Sequence, residues 1–219
     1  METPSSFIQK TAQYVRKKIY GDAGGQDWYH TERVWRMAAQ LQALEGGNLR
    51  LIELAALLHD VGDYKHYNFN EAKGTLALRA IMDILEIDEE SQKRLREIIN
   101  ETQYNSRETT VPSTIEGKII QDADWLDSLG ALGIARTFAM GGQLNRVIHD
   151  PNRRPRNNLS KEAYQRKKNE GTSFNHFYEK TLNLPALMNT KTGRAIAESR
   201  AQYLKQFMDE FLAEWLGER

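Results

Sequence analysis

Apolar residues recur at steps of three and four along almost the whole chain, and no segment pair reads as strands. Phe7, Ile8, Ala12, Val15 and Ile19 share one stripe and predict a first helix from about Ser5 to Ile19. Gly21 to Gly25 reads as a loop. A second helix starts near Asp27, with Val34, Met37, Leu41 and Leu44 on its buried face. His30 precedes Val34 by four and therefore lies on that face. Gly46-Gly47 ends this helix. The third, from Asn48 to about Val61, is apolar nearly all round: Leu51, Ile52, Leu54, Ala55, Ala56, Leu57, Leu58. Such a helix belongs in the centre of a domain. It carries His59 and Asp60 at its C-terminal end, and Gly62 can serve as its stop.

Further helices are predicted over about 71–85 and 89–102. Ser113, with Glu116 three residues later, is a capping-box pattern. It opens a helix that carries Ile119, Ile120, Ala123, Leu126, Leu129 and Leu132 and closes at Gly141-Gly142. Gly130 and Gly133 would let another helix approach closely. Two last helices are read at about Phe174–Met188 and Thr192–Leu216. In the final one, Ile196, Leu204, Phe207, Phe211 and Trp215 form a stripe suited to the core or to a partner helix. All five prolines sit where helices should start or stop. The expectation is an all-α protein of one domain over residues 1–219. Its catalytic core covers about 20–140, and a C-terminal helical extension covers about 170–219.

Composition narrows the chemistry. Thirty Lys and Arg balance thirty Asp and Glu, which argues against a dedicated nucleic-acid binder. There is no cysteine, so disulfide scaffolds, thiolate metal sites and Cys nucleophiles are excluded. The N-terminus lacks the pattern of a secretory signal, and no apolar stretch approaches the ~20 residues of a membrane span. A cytoplasmic protein with no membrane partner is expected. The apolar C-terminal helix permits a homodimer. Residues 146–168 are rich in Arg and Lys and read either as a solvated loop or as a lid over phosphate.

Three segments place metal-capable side chains inside helices otherwise built for burial. They are Tyr29-His30-Thr31, Leu57-Leu58-His59-Asp60, and Gln121 to Asp127 with Asp122, Asp124 and Asp127. A buried carboxylate costs several kcal/mol unless it is paired or holds a metal. Two imidazoles and two carboxylates make a nitrogen and oxygen shell without sulfur. That shell suits Mn²⁺, Mg²⁺, Co²⁺, Ni²⁺ or Fe²⁺. Asp122 and Asp124 lie about 200° apart on a helix, so both are not expected on one metal. Lys65, five residues past Asp60, and Arg33, one turn after His30, are candidate cationic contacts for an anionic substrate.

The ordered pattern His30, His59-Asp60 and a later Asp resembles that of the HD superfamily of metal-dependent phosphohydrolases. The flanks "HTERVWRMA" and "AALLHDVGDYK" resemble that family's first and central motifs. "IIQDADWLDSLGALGIARTF" and "FNHFYEKTLNLPALMNTKTGRAIAESR" resemble a bacterial branch of small stand-alone hydrolases acting on nucleotides. The resemblance covers nearly the whole chain and implies an HD-domain helical bundle. It implies His30, His59, Asp60 and Asp124 as metal ligands, Asp124 because "Ala123-Asp124-Trp125-Leu126" matches the family's context, with Asp122 as the alternative. It also implies Asp63 as general base or water-positioner, and Arg136 and Lys180 as further substrate contacts. The implied reaction is hydrolysis of (deoxy)nucleoside triphosphates or related nucleotides, with a metal-ligated water as the attacking group. Competing readings are an HD-fold phosphodiesterase, a di-iron oxygenase and a non-catalytic effector-binding module. No Gly-Tyr-Pro element of the phosphodiesterases is present.

Overall fold

The computed structural model describes residues 5–19, 21, 24–62, 70–102, 109–156 and 171–218. The protein is all-α, with no strand among the described residues. Its chain forms two compact units. Among the described residues the first holds 5–102 and 110–123, and the second holds 109 and 124–218.

In the first unit, α1 spans Ser6–Lys18, α2 Trp28–Glu45, α3 Leu49–Leu58, α4 Glu71–Ile84 and α5 Glu89–Glu101. Each opens on a residue whose side chain takes an otherwise unpaired backbone N–H. Ser5 accepts from Ile8, Asp27 from His30, Asn48 from Leu51, Asn70 from Lys73 and Asp88 from Ser91. Helix α3 is the centre, packed by α1, α2 and α5. From Leu51 to Leu58 every residue is buried, including Glu53. It meets Ile8 and Val15 of α1, Val34, Ala38 and Leu41 of α2, and Leu95, Ile98 and Ile99 of α5 as one apolar core.

Helix α3 stops at Leu58, short of the expected Val61. The His59 ring bonds the Ala56 carbonyl, and the Val61 N–H turns onto the Leu58 carbonyl, a three-residue step that ends the α-helix. The chain therefore leaves the helix while His59 and Asp60 are still held against its buried end.

Helix α6, Ile115–Leu126, begins in the first unit and ends in the second. The Ser113–Glu116 capping box does not form. Thr114 Oγ1 accepts from Gly117 N, Ser113 is taken by the Glu101 carboxylate, and Glu116 accepts from Asn48 N. The single long helix expected to reach Gly141 is two helices. Helix α7 spans Gly130–Gln143 after a turn at 127–129. Gly130 has φ +68°, a left-handed conformation that a side chain would strain.

The described remainder of the second unit includes α8, Asn175–Glu179; a 3₁₀ turn, Thr181–Asn183; α9, Leu184–Leu187; and α10, Lys191–Leu216. The helix expected over 174–188 is thus broken into three pieces. Pro185 lies in the first turn of α9, where a missing N–H is tolerated. Phe174, Phe177, Leu204 and Met208 form the core here, with Phe207 and Phe211 packed against it. This confirms the apolar stripe of α10 as core at those positions. Trp215 stacks on Phe211 yet stays half-exposed.

Candidate metal centre

Three of the residues singled out in the sequence meet in the first unit. His30 stands in the first turn of α2, fixed by the Asp27 cap at 3.1 Å, and is 1% exposed. His59 and Asp60 leave the end of α3. One ligand atom from each of the three lies within 4.8 Å of the others. The imidazoles are 5.4 Å apart and nearly perpendicular. Asp60 reaches both: Oδ2 is 3.5 Å from His30 Nε2, and Oδ1 is 3.5 Å from His59 Nε2.

The His59 contacts assign its tautomer. Nδ1 is 2.8 Å from the Ala56 carbonyl oxygen, which can only accept, so Nδ1 carries the hydrogen. In the neutral ring Nε2 is then a bare lone pair. It is buried, has no hydrogen-bond partner among the described residues, and faces a carboxylate oxygen. Two lone pairs held 3.5 Å apart in a buried site repel unless a proton or a metal cation lies between them. Donor atoms that share one divalent ion are spaced about 3–4 Å apart. The nitrogen and oxygen set, its spacing and the orphaned Nε2 therefore fit a divalent metal. The Nδ1 bond to a backbone carbonyl is the outer support that metal-binding histidines use to fix ring orientation.

The other expected site residues have different placements. Asp124 is half-buried on the last turn of α6, in the second unit, while Asp122 is fully buried. Arg33 is half-buried on α2, one turn after His30. Lys180 is half-buried at the end of α8. Arg136 lies on α7 and is engaged by Asp127: its Nη1 is 2.7 Å from Asp127 Oδ2. Asp63 and Lys65 lie outside the described residues, as does His66. Of the basic segment, residues 146–156 are described and 157–168 are not. His149 packs half-buried among the rings of Phe174, Phe211 and Trp215.

Two arrangements gave no sequence signal. Glu53, an acidic residue in the most apolar helix, is 7% exposed and accepts from Trp35 Nε1 at 3.1 Å. Burial pushes its carboxyl above the ordinary 4.5, partly opposed by that bond. Arg200 of α10 donates to the Leu126 carbonyl at the end of α6. Its partner lies 74 residues away in the chain, beyond the reach of any local pattern.

The HD domain family model matches residues 27–129, a span that contains His30, His59-Asp60 and Asp124. YpgQ of Bacillus subtilis is 31% identical over 200 residues, covering 89% of this chain and 87% of its own. The chain belongs to the HD superfamily. A solved HD-superfamily hydrolase from Bacillus thuringiensis is 42% identical, covers 95% of this chain and 96% of its own, and has a TM-score of 0.70. A Lactobacillus plantarum structure is 35% identical with a TM-score of 0.86, covering 99% and 100%. YpgQ has been solved in complex with ADP; that structure has a TM-score of 0.72 at 28% identity, covering 94% and 96%. The fold is thus an HD-superfamily hydrolase fold with a His30–His59–Asp60 candidate metal site. Among the described residues, no helix is long and apolar enough to cross a membrane.

Proposed function

We propose that this protein is a metal-dependent phosphohydrolase of nucleotides, with (deoxy)nucleoside triphosphates as the first candidates. The observation that carries the reading is the bare, buried Nε2 of His59 facing the Asp60 carboxylate. The HD-superfamily hydrolase relatives support the reaction class, and the ADP complex of YpgQ supports a nucleotide as substrate. His30, His59, Asp60 and Asp124 would hold the ion. A divalent cation there supplies Lewis acidity, lowering the pKa of a ligated water and drawing charge from a phosphoryl oxygen.

The chain's own residues do the rest. Asp60 and Asp124 offset the charge of a divalent ion, so the site is neutral before an anionic substrate arrives. His59, locked by Ala56, presents the same nitrogen throughout. Asp63, three residues past Asp60, accepts a proton or orients water. Arg33, Lys65 and Lys180 neutralise phosphate charge. Arg136 we place with Asp127 rather than with substrate. The protein acts inside the cytoplasm and needs no nucleic-acid or membrane partner.

The test is a hydrolysis screen of metal-stripped protein. It covers nucleoside mono-, di- and triphosphates, cyclic dinucleotides and a generic phosphodiester, with Mg²⁺, Mn²⁺, Co²⁺ or Ni²⁺ restored. Phosphate and pyrophosphate are measured separately. Triphosphate cleavage that requires added metal and disappears in Asp124→Ala is expected. Silence on every substrate, with two irons per chain in the isolated protein, would instead point to the oxygenase class.

A further inference from the structure

Helix α6 carries Asp124 two residues before its end at Leu126, and that end is held by side chains from two other helices. The Asp124 carbonyl accepts from the Asp127 N–H at 3.1 Å. Asp127 is 4% exposed, so its carboxylate requires a cationic partner. Arg136 supplies one, with Nη1 bonding Asp127 Oδ2 at 2.7 Å and the Asp127 carbonyl at 3.2 Å. Arg200 reaches in from α10, donates to the Leu126 carbonyl and interacts electrostatically with Asp127. Burial depresses the Arg200 pKa, and Asp127 works against that shift.

Two guanidinium groups thus bond carbonyls at the helix C-terminus, that of Asp127 just past its end and that of Leu126, which also accepts from the Leu129 N–H, at the negative end of the helix dipole. Gly130 makes the approach possible. A Cβ there would lie 3.3 Å from the Arg200 Cγ, and the φ of +68° is one that glycine adopts freely. Gly133 serves the same turn, because a Cβ on it would collide with the Ser128 carbonyl. Nothing in this network is needed to fill an apolar core. It spends two arginines and a buried aspartate on one short turn.

We infer that Asp127, Arg136 and Arg200 are positioning residues that clamp the end of α6 and fix where Asp124 presents its carboxylate. The inference rests on the reading of Asp124 as the fourth metal ligand. It assigns these residues no contact with substrate. Metal sites tolerate ligand displacements of only about 0.5 Å, and loss of an outer support weakens metal binding by about 10–100-fold.

Mn²⁺ affinity of the full-length, metal-stripped chain, measured by isothermal titration, tests this. Asp127→Asn, Arg136→Ala, Arg136→Lys and Arg200→Met are compared with wild type and Asp124→Ala. Leu204→Ala, a core truncation in the same unit, sets how far affinity follows general destabilisation. The expected result is a loss of about 10-fold or more in Asp127→Asn and Arg136→Ala. Arg136→Lys should recover part of it, and Leu204→Ala should stay near wild type despite a lowered Tm. Wild-type affinity in the clamp variants, with Asp124→Ala impaired, overturns the inference alone. Wild-type affinity in Asp124→Ala overturns the ligand reading and removes the clamp's purpose with it. Should Arg136→Ala fail to fold, Arg136→Lys and Arg200→Met carry the same comparison. Losses no larger than in Leu204→Ala at equal Tm also refute it.

Discussion

Arg156 is the last described residue of the basic segment, and its guanidinium is paired. Its Nε and Nη2 lie 3.0 and 2.8 Å from the two carboxylate oxygens of Glu179, and its backbone N–H adds a third bond at 3.0 Å. The Glu179 side chain is 3% exposed and that of Arg156 is 23% exposed. Arg156→Met keeps the aliphatic stem and the backbone bond but deletes both side-chain bonds. A charged hydrogen bond contributes about 1.5–3 kcal/mol, and breaking a buried pair from one side costs about 3–5 kcal/mol. Because Arg156 is partly open to water and one backbone bond survives, the low end applies, about 3 kcal/mol. For a chain of this length that lowers Tm by roughly 6–12 °C.

Equilibrium urea unfolding followed by circular dichroism measures it. Glu179→Gln, which removes the buried charge itself, should cost less. In the double variant much of the Arg156→Met loss should disappear, because no unpaired carboxylate is left behind. Gly171→Ala is an independent perturbation, since its Cβ would lie 2.9 Å from Arg156 Nη2 and push the guanidinium off its partner. A cost below about 1 kcal/mol for Arg156→Met, as for an exposed pair, would refute the reasoning.

Two further outcomes follow from the first unit. Mn²⁺ at about 100 times its Kd should stabilise the metal-stripped protein by about 2.7 kcal/mol, a Tm rise of roughly 5–11 °C by thermal scanning. His59→Ala should abolish that rise, and an equal rise in the variant would remove His59 from the site. Glu53 should make stability pH-dependent. Its folded pKa is raised, so the fold keeps a proton that the unfolded chain releases near 4.5. Its stabilising share is full below that pH and is lost as pH rises through the higher folded value. Glu53→Gln should therefore unfold at a higher temperature than wild type at pH 7 and match it in acid; no gain at pH 7 would contradict the burial argument.

The sequence announced some features because their causes are local. Helix α3 was legible from apolar residues on every face, and that alone located His59 and Asp60 at a buried helix end. The starts of α1, α2 and α3 were legible because Ser5, Asp27 and Asn48 cap them with their own side chains. Other features were hidden because the deciding partner is distant. Leu126, Leu129 and Leu132 keep the spacing of one continuous helix, so the turn at 127–129 left no trace. What permits the turn is the positive φ of Gly130, and what holds it is Arg200 from the far end of the chain. The capping box failed for the same reason: Glu101 and Asn48 claim Ser113 and Glu116 from other elements.

This division bears on how the site is built. The candidate ligands His59 and Asp60 are adjacent residues just past the end of a buried helix, and His59 is oriented by that helix through Ala56. That half needs no distant support. Asp124 differs. As the proposed fourth ligand it sits at the end of a helix where the Asp127 and Leu126 carbonyls are held by residues 9 and 74 positions away. A ligand whose placement depends on long-range contacts should yield first when the fold is stressed. Urea below the unfolding midpoint should thus weaken Mn²⁺ binding before α3 loses its packing. In wild type the affinity loss should precede the global transition, and in Asp124→Ala, where that ligand is already gone, the remaining weak binding should follow it. Coincident transitions in both proteins would mean that the clamped turn is as stable as the α3 core.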